Sequence, residues 1–201
     1  MEKLDLTKAY KSYYTAGKAV ELVNIEDALF LAIPGKGDPD GPAFAQDVEA
    51  LYSIAYAIKF INKAAGQDFV VTKLEGYWWV DDTATDPLKV PRHLWNYELV
   101  LRLPDYVTHQ QFVQAVTTTE KKKSNPRLRA VDLKEIEGGM AVQIMHTGPF
   151  SEEPASLQQL DAFMRARHLK FHGRHHEIYL SDFRKTEPAK LKTILRHSVR
   201  Q

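Results

Sequence analysis

Phe30-Leu31-Ala32-Ile33-Pro34-Gly35-Lys36-Gly37 is echoed 111 residues later by Ala141-Val142-Gln143-Ile144-Met145-His146-Thr147-Gly148, with Ile33 over Ile144 and Gly37 over Gly148. The echo continues downstream. Pro42 to Leu51 aligns with Pro154 to Phe163, and Lys59-Phe60 with Lys170-Phe171. Each copy reads as a strand, a glycine-containing turn and a helix opened by proline, whose missing N–H has no intrahelical partner in the first turn. Val48, Leu51, Ala55 and Ile58 recur at three- and four-residue steps in the first helix, as do Leu157, Leu160 and Met164 in the second, so each helix can bury one face on a sheet.

Outward from the repeat, strand-like runs lie at Val70 to Val80, Leu94 to Leu103, Arg127 to Ile136, Met140 to His146 and His175 to Leu180, and a further helix is predicted from Thr108 to Thr119. Glu137-Gly138-Gly139 reads as a hairpin turn. The class expected is α+β: two pseudo-twofold-related strand-helix-strand repeats with antiparallel sheets forming a central ligand cleft. All 201 residues are taken as one domain, with repeat one about 27–103, repeat two about 127–182 and an amphipathic C-terminal tail over 188–201. A cleft between halves is where small-molecule sites tend to form.

Composition narrows the chemistry. There is no cysteine, which removes disulfides, thiol catalysis, thiolate zinc sites and iron–sulfur clusters. The formal net charge of +1 is far from that of a dedicated nucleic-acid binder, although residues 165–201 carry 10 basic and 3 acidic side chains. No apolar run is long enough for a membrane span, and the charged N-terminus is unlike a signal peptide, so a cytoplasmic location is expected. The cluster His168, His172, His175 and His176 crosses a helix end, a glycine turn and a strand, a poor spacing for metal, and Gly35 to Gly41 lacks the phosphate-loop pattern. No metal and no cofactor are expected.

In His175-His176-Glu177-Ile178-Tyr179-Leu180, alternation puts His175, Glu177 and Tyr179 on one face and the better hydrophobes on the other. If Ile178 and Leu180 face a helix-covered core, Glu177 and Tyr179 face a cleft; the alternative is an edge strand with a solvated glutamate. Tyr77-Trp78-Trp79 places aromatic rings on both faces of its strand, and Trp95 and Tyr97 share a face of the next. Tyr52 and Tyr56, four apart on the first helix, border its buried stripe and either extend the cleft wall or simply pack. A carboxylate at the base of an aromatic cleft suits flat lipophilic ligands, and cations gain about 0.5–2 kcal/mol over each suitable ring. The ligand-binding set expected from these patterns is Glu177, Tyr179, His175, Trp79, Trp95, Tyr97, Tyr56 and Tyr52.

The paired repeats, Leu74-Glu75-Gly76-Tyr77-Trp78-Trp79, Leu103-Pro104-Asp105-Tyr106-Val107-Thr108 and above all His175 to Asp182 resemble the GyrI-like small-molecule-binding superfamily, over about residues 20–200 and specifically its stand-alone branch. Members of that superfamily are effector-binding domains of multidrug-sensing regulators, gyrase inhibitors, and hydrolases of cyclopropane-containing DNA-alkylating toxins. The resemblance places the central pocket glutamate on Glu177 and the aromatic walls on Trp79, Trp95, Tyr97 and Tyr56. It implies a drug-resistance type of role, a sequestering or detoxifying protein; the tryptophans and tyrosines flanking Glu177 point to capture of aromatic, often cationic, lipophilic compounds by a monomer or weak homodimer. About 27 residues precede the first predicted strand, too few for a helix-turn-helix module, so direct DNA binding is not expected. Two alternatives stay open. One is a cofactor-independent hydrolase with Glu177 as base and Tyr179 or Tyr97 as donor to a developing phenolate; the other is a gyrase-inhibitor-like interaction protein using the basic tail and the Lys121 to Arg129 patch.

Overall fold

The computed structural model describes residues 3–82 and 85–201. Its strands are β1 (Glu21–Ile25), β2 (Ala28–Lys36), β3 (Glu75–Trp79), β4 (Asn96–Arg102), β5 (Asp132–Ile136), β6 (Gly139–Thr147), β7 (Lys170–Tyr179) and β8 (Lys192–Arg200). The helices are α1 (Leu6–Ala9), α2 (Pro42–Ala64), α3 (His109–Glu120) and α4 (Glu153–Ala166). Proline stands in the first turn of both α2 and α4, and the expected stripe of Val48, Leu51, Ala55 and Ile58 is buried. Thr108 and Gln111 close a reciprocal capping box at the start of α3, satisfying two backbone donors that have no helical partner.

The two expected sheets are one eight-stranded antiparallel sheet in the order β1-β6-β8-β7-β3-β4-β2-β5. Read from its middle, that order is symmetric: β3, β4 and β2 run outward on one side as β7, β8 and β6 do on the other. The pseudo-twofold axis therefore passes between β3 and β7. Two sequence expectations are corrected here. Glu137-Gly138-Gly139 is not a hairpin turn, because β5 and β6 do not pair; β1–β2 and β5–β6 form one bent ribbon whose register runs unbroken from Ile25↔Gly139 to Ala28↔Ile136. Glycine is required at 138 because a Cβ there would lie 2.0 Å from the Ile25 carbonyl oxygen, where the ribbon bends. The second correction concerns residues 188–201, which are no amphipathic tail. Lys192–Arg200 is an interior strand with Thr193, Ile194, Leu195 and Arg196 buried, so the second repeat extends to the end of β8.

Both faces of the sheet are covered. On one, α2 and α3 pack Leu51, Ile54, Ile58 and Phe112 over Leu31, Ile33, Leu99 and Leu101, and α4 packs Leu160 and Met164 over Val142, Ile144 and Leu195. On the other, residues 10–16 lie against Phe30, Ala32, Val100, Ile178 and Ile194. Ile178 thus faces the N-terminal segment rather than the helices, against expectation, and the helices stand on the side of Glu177. Behind the centre of the sheet, buried Glu75 accepts hydrogen bonds from the Tyr13 hydroxyl at 2.6 Å and His176 Nε2 at 2.8 Å. Arg196 donates to the Gln143 side chain and the Tyr13 carbonyl, pinning the N-terminal segment to the strands.

Candidate functional site

Because α2 covers one half of the sheet and α4 the other, the central pair β3·β7 carries the side chains between them. Gly76 lies opposite Glu177, and Trp78 opposite His175. On its other side Glu177 pairs with Leu195. Gly76 leaves room on this face: a Cβ there would stand 2.8 Å from Trp78 Nε1 and 3.0 Å from Tyr179 Oη. Into that room the indole N–H of Trp78 donates to the Tyr179 hydroxyl at 3.0 Å. Burial first, and the Glu177 charge second, hold the Tyr179 phenol well above its ordinary pKa, so it remains a neutral hydroxyl. His175 Nε2 is 3.0 Å from Glu177 Oε1.

Aromatic rings gather on Trp78 and Tyr179, on the same face as this carboxylate. Phe44 of α2 stacks on Trp78 at 6.0 Å, and Trp95 meets it edge-on at 6.1 Å. Phe150, in the turn leading into α4, and Phe183 each meet Tyr179 edge-on, at 5.9 and 5.8 Å. A groove of about 1270 Å³ on the far side of Tyr179 runs along α2, lined by Val48, Tyr52, Tyr56, Phe60 and Phe183.

A second carboxyl joins the first. Glu153, the first residue of α4, is buried, and its Oε1 has no hydrogen-bond partner. A helix N-terminus ordinarily favours an ionised glutamate. Here desolvation, with the Glu177 charge as the second cause, pushes the pKa of Glu153 up to about 10, so it is a neutral acid at physiological pH. The site therefore holds an unpartnered acid beside a carboxylate that is hydrogen-bonded to an imidazole. Sequence reading missed Glu153 because it took Pro154 to open the helix and treated the turn before it as connection. The one available signal was the acidic pair Glu152-Glu153 in the copy that also carries Glu177.

The expected site residues divide. Glu177, Tyr179 and His175 come together as alternation required, and Trp95 stands one ring away. Trp79 points to the opposite face under the Arg174 guanidinium at 3.6 Å, and its neighbour Trp78 holds the cleft position. Tyr97 is fully buried, with its hydroxyl donating to Asp47 Oδ2 at 2.8 Å; it belongs to the core and has no free donor for a ligand. Tyr52 and Tyr56 line the outer groove, with Tyr56 about half exposed. In the basic Lys121–Arg129 stretch, Lys123 pairs with Glu49, Arg127 with Asp47 and Arg129 with Glu120, so much of its charge is spent on internal ion pairs. Among the described residues no cluster of His, Asp and Glu is arranged to hold a metal, and no helix is long and apolar enough to cross a membrane.

The chain thus has a mixed sheet-and-helix fold with two related halves, and a carboxylate, an imidazole and a phenol gather where they meet. The model of the GyrI-like small molecule binding domain matches residues 104–198. An uncharacterized conserved protein from Listeria innocua is 39% identical, with 98% of this chain and 100% of that one covered and a TM-score of 0.91. A hydrolase from Listeria innocua is 38% identical, with 98% and 100% covered and a TM-score of 0.87. The chain belongs to the GyrI-like family. The C-terminal domain of EcmrR, 14% identical over 90% of this chain and 97% of its own, shares the fold with a TM-score of 0.56. No curated protein matches the chain significantly.

Proposed function

We propose that this chain captures flat, lipophilic small molecules in the cleft and hydrolyses those that carry a strained electrophilic ring, the cyclopropane-fused dienones being the class suggested by the family resemblance. The observation that carries this reading is the pairing of a neutral buried acid, Glu153, with the carboxylate Glu177. A carboxyl held neutral beside a second carboxylate can serve as general acid to the other's general base. The step balances. Glu177 takes a proton from water as the water oxygen bonds to the ring methylene; the methylene–spiro carbon bond breaks and its electron pair passes through the dienone to the oxygen. Glu153 protonates that developing phenolate, and transfer of the proton from Glu177 back to Glu153 resets the pair, for net addition of one water. The 38% identical Listeria hydrolase is consistent with this reading.

Incubation with a cyclopropane-dienone alkylator, followed by chromatography of the ring-opened hydrate, tests it. Expected are many turnovers per protein, lost by at least about a hundredfold in Glu177→Gln and in Glu153→Gln, as general acid–base groups contribute on that scale. Hydrate formation at the buffer rate would reduce the protein to a binder.

A second reading, sequestration of planar cations without turnover, is favoured by the same unpartnered carboxyl. A bound cation would replace the shared proton, so binding a planar dye cation should release up to one proton per site at neutral pH, read by buffer-dependent calorimetry. Quenching of tryptophan fluorescence without proton release would count against it.

A further inference from the structure

Glu177 lies at the end of a chain of three groups. His175 Nε2 stands 3.0 Å from Glu177 Oε1, and His175 Nδ1 stands 2.9 Å from Nε2 of His197, its partner across β7 and β8. His197 Nδ1 is buried and meets no partner, and Phe171 covers the ring at 4.7 Å between centroids. The chain starts at the cleft and stops inside the protein.

We propose that His197 acts through His175 as a positioning residue for Glu177, fixing both imidazoles in the Nε2–H tautomer and committing Glu177 Oε1 to the His175 N–H.

Two acceptors cannot face each other, so His175 Nε2 carries the proton that Glu177 Oε1 accepts, and the ring is taken with that one proton. Its Nδ1 is then bare and must accept, which obliges His197 to donate from Nε2 and leaves His197 Nδ1 a bare lone pair. That assignment accounts for the orphaned nitrogen. The opposite polarity, with a doubly protonated His175 donating to both sides, would put an N–H of His197 in a buried place with no acceptor, the costlier of the two arrangements beside a ring that burial keeps uncharged. The consequence reaches the cleft: with Oε1 held by an N–H, the shared proton stays on Glu153. The inference rests on the reading of Glu177 as the working carboxylate, but its direct test does not.

Two-bond proton–nitrogen spectra of the intact chain with labelled histidine, assigned with His175→Gln and His197→Gln, should show both rings as neutral Nε2–H tautomers at pH 7. A His197 in the Nδ1–H form, or a doubly protonated His175, would overturn the proposal even if the chain bound no ligand at all. For function, His197→Phe keeps a ring under Phe171 but removes the donor, whereas the amide nitrogen of His197→Gln restores a donor at similar reach. The Phe variant should lose about tenfold in affinity for a planar dye cation, with the His175 tautomer released, and the Gln variant should recover most of it. Equal affinity in wild type and both variants, with the His175 tautomer unchanged in His197→Phe, would refute the positioning role while leaving the cleft as a binding site.

Discussion

Glu153 shows how one side chain ties the candidate site to stability. The unfolded chain releases its proton near the ordinary value of 4.5, while the folded chain keeps it to about 10. Between those limits the native state binds the extra proton, so folding is favoured less as pH rises. Glu153→Gln removes that linkage. In urea titrations from pH 6 to 9, the variant's stability relative to wild type should climb by up to about 1 kcal/mol per pH unit; parallel pH profiles would show that Glu153 ionises as freely as in water. His197 acts in the opposite range. Its pKa is lowered to about 3 by burial and by His175, so the unfolded state takes up a proton first and stability drains away as pH falls from about 6.5 toward 3.

At the scale of elements, β3 works because its two faces do different jobs. Glu75 and Tyr77 look back to the N-terminal segment, where Tyr77 stacks on His176 at 4.2 Å between centroids. Gly76 and Trp78 look toward the cleft. Gly76 can be exchanged for alanine without backbone strain, so a substitution there tests packing alone: the new methyl would displace Trp78 or the Tyr179 hydroxyl. Gly76→Ala should cost about 1–3 kcal/mol in chemical denaturation and shift the tryptophan emission. An unchanged spectrum at wild-type stability would mean that the Trp78–Tyr179 contact does not shape the cleft.

For the whole molecule, β8 is the element on which continuity depends. It lies between β6 and β7, so without it β1 and β6 keep only the bent ribbon as a connection to the rest of the sheet. A chain ending after Lys190 would lose Ile194 and Leu195 from two separate apolar clusters and Arg196 from the buried network behind Glu75. It should show no cooperative unfolding transition by circular dichroism. A detachable basic tail, by contrast, could be removed at a cost within about 0.5 kcal/mol.

Alternation along His175 to Leu180 was enough to put Glu177, Tyr179 and His175 on one face, since period two is a property of the extended backbone itself. The repeat was legible for a similar reason: each copy carries its own turn glycine, helix-opening proline and apolar spacing, all local signals. What lay beyond local signals was which partner each face met. Trp78 and Trp79 are chemically alike, and only the placement of α2 against β2 and β4 sends Trp78 to the cleft and Trp79 beneath Arg174. The bend at Gly138 looked like a hairpin because glycine marks tight backbone approach without saying to which strand. Residues 192–200 read as amphipathic in isolation and became an interior strand once β6 and β7 supplied hydrogen bonds on both sides. Glu153 is one of two adjacent glutamates in the sequence, and its proton is decided by burial and by a carboxylate 24 residues away, quantities that exist only when the chain is folded.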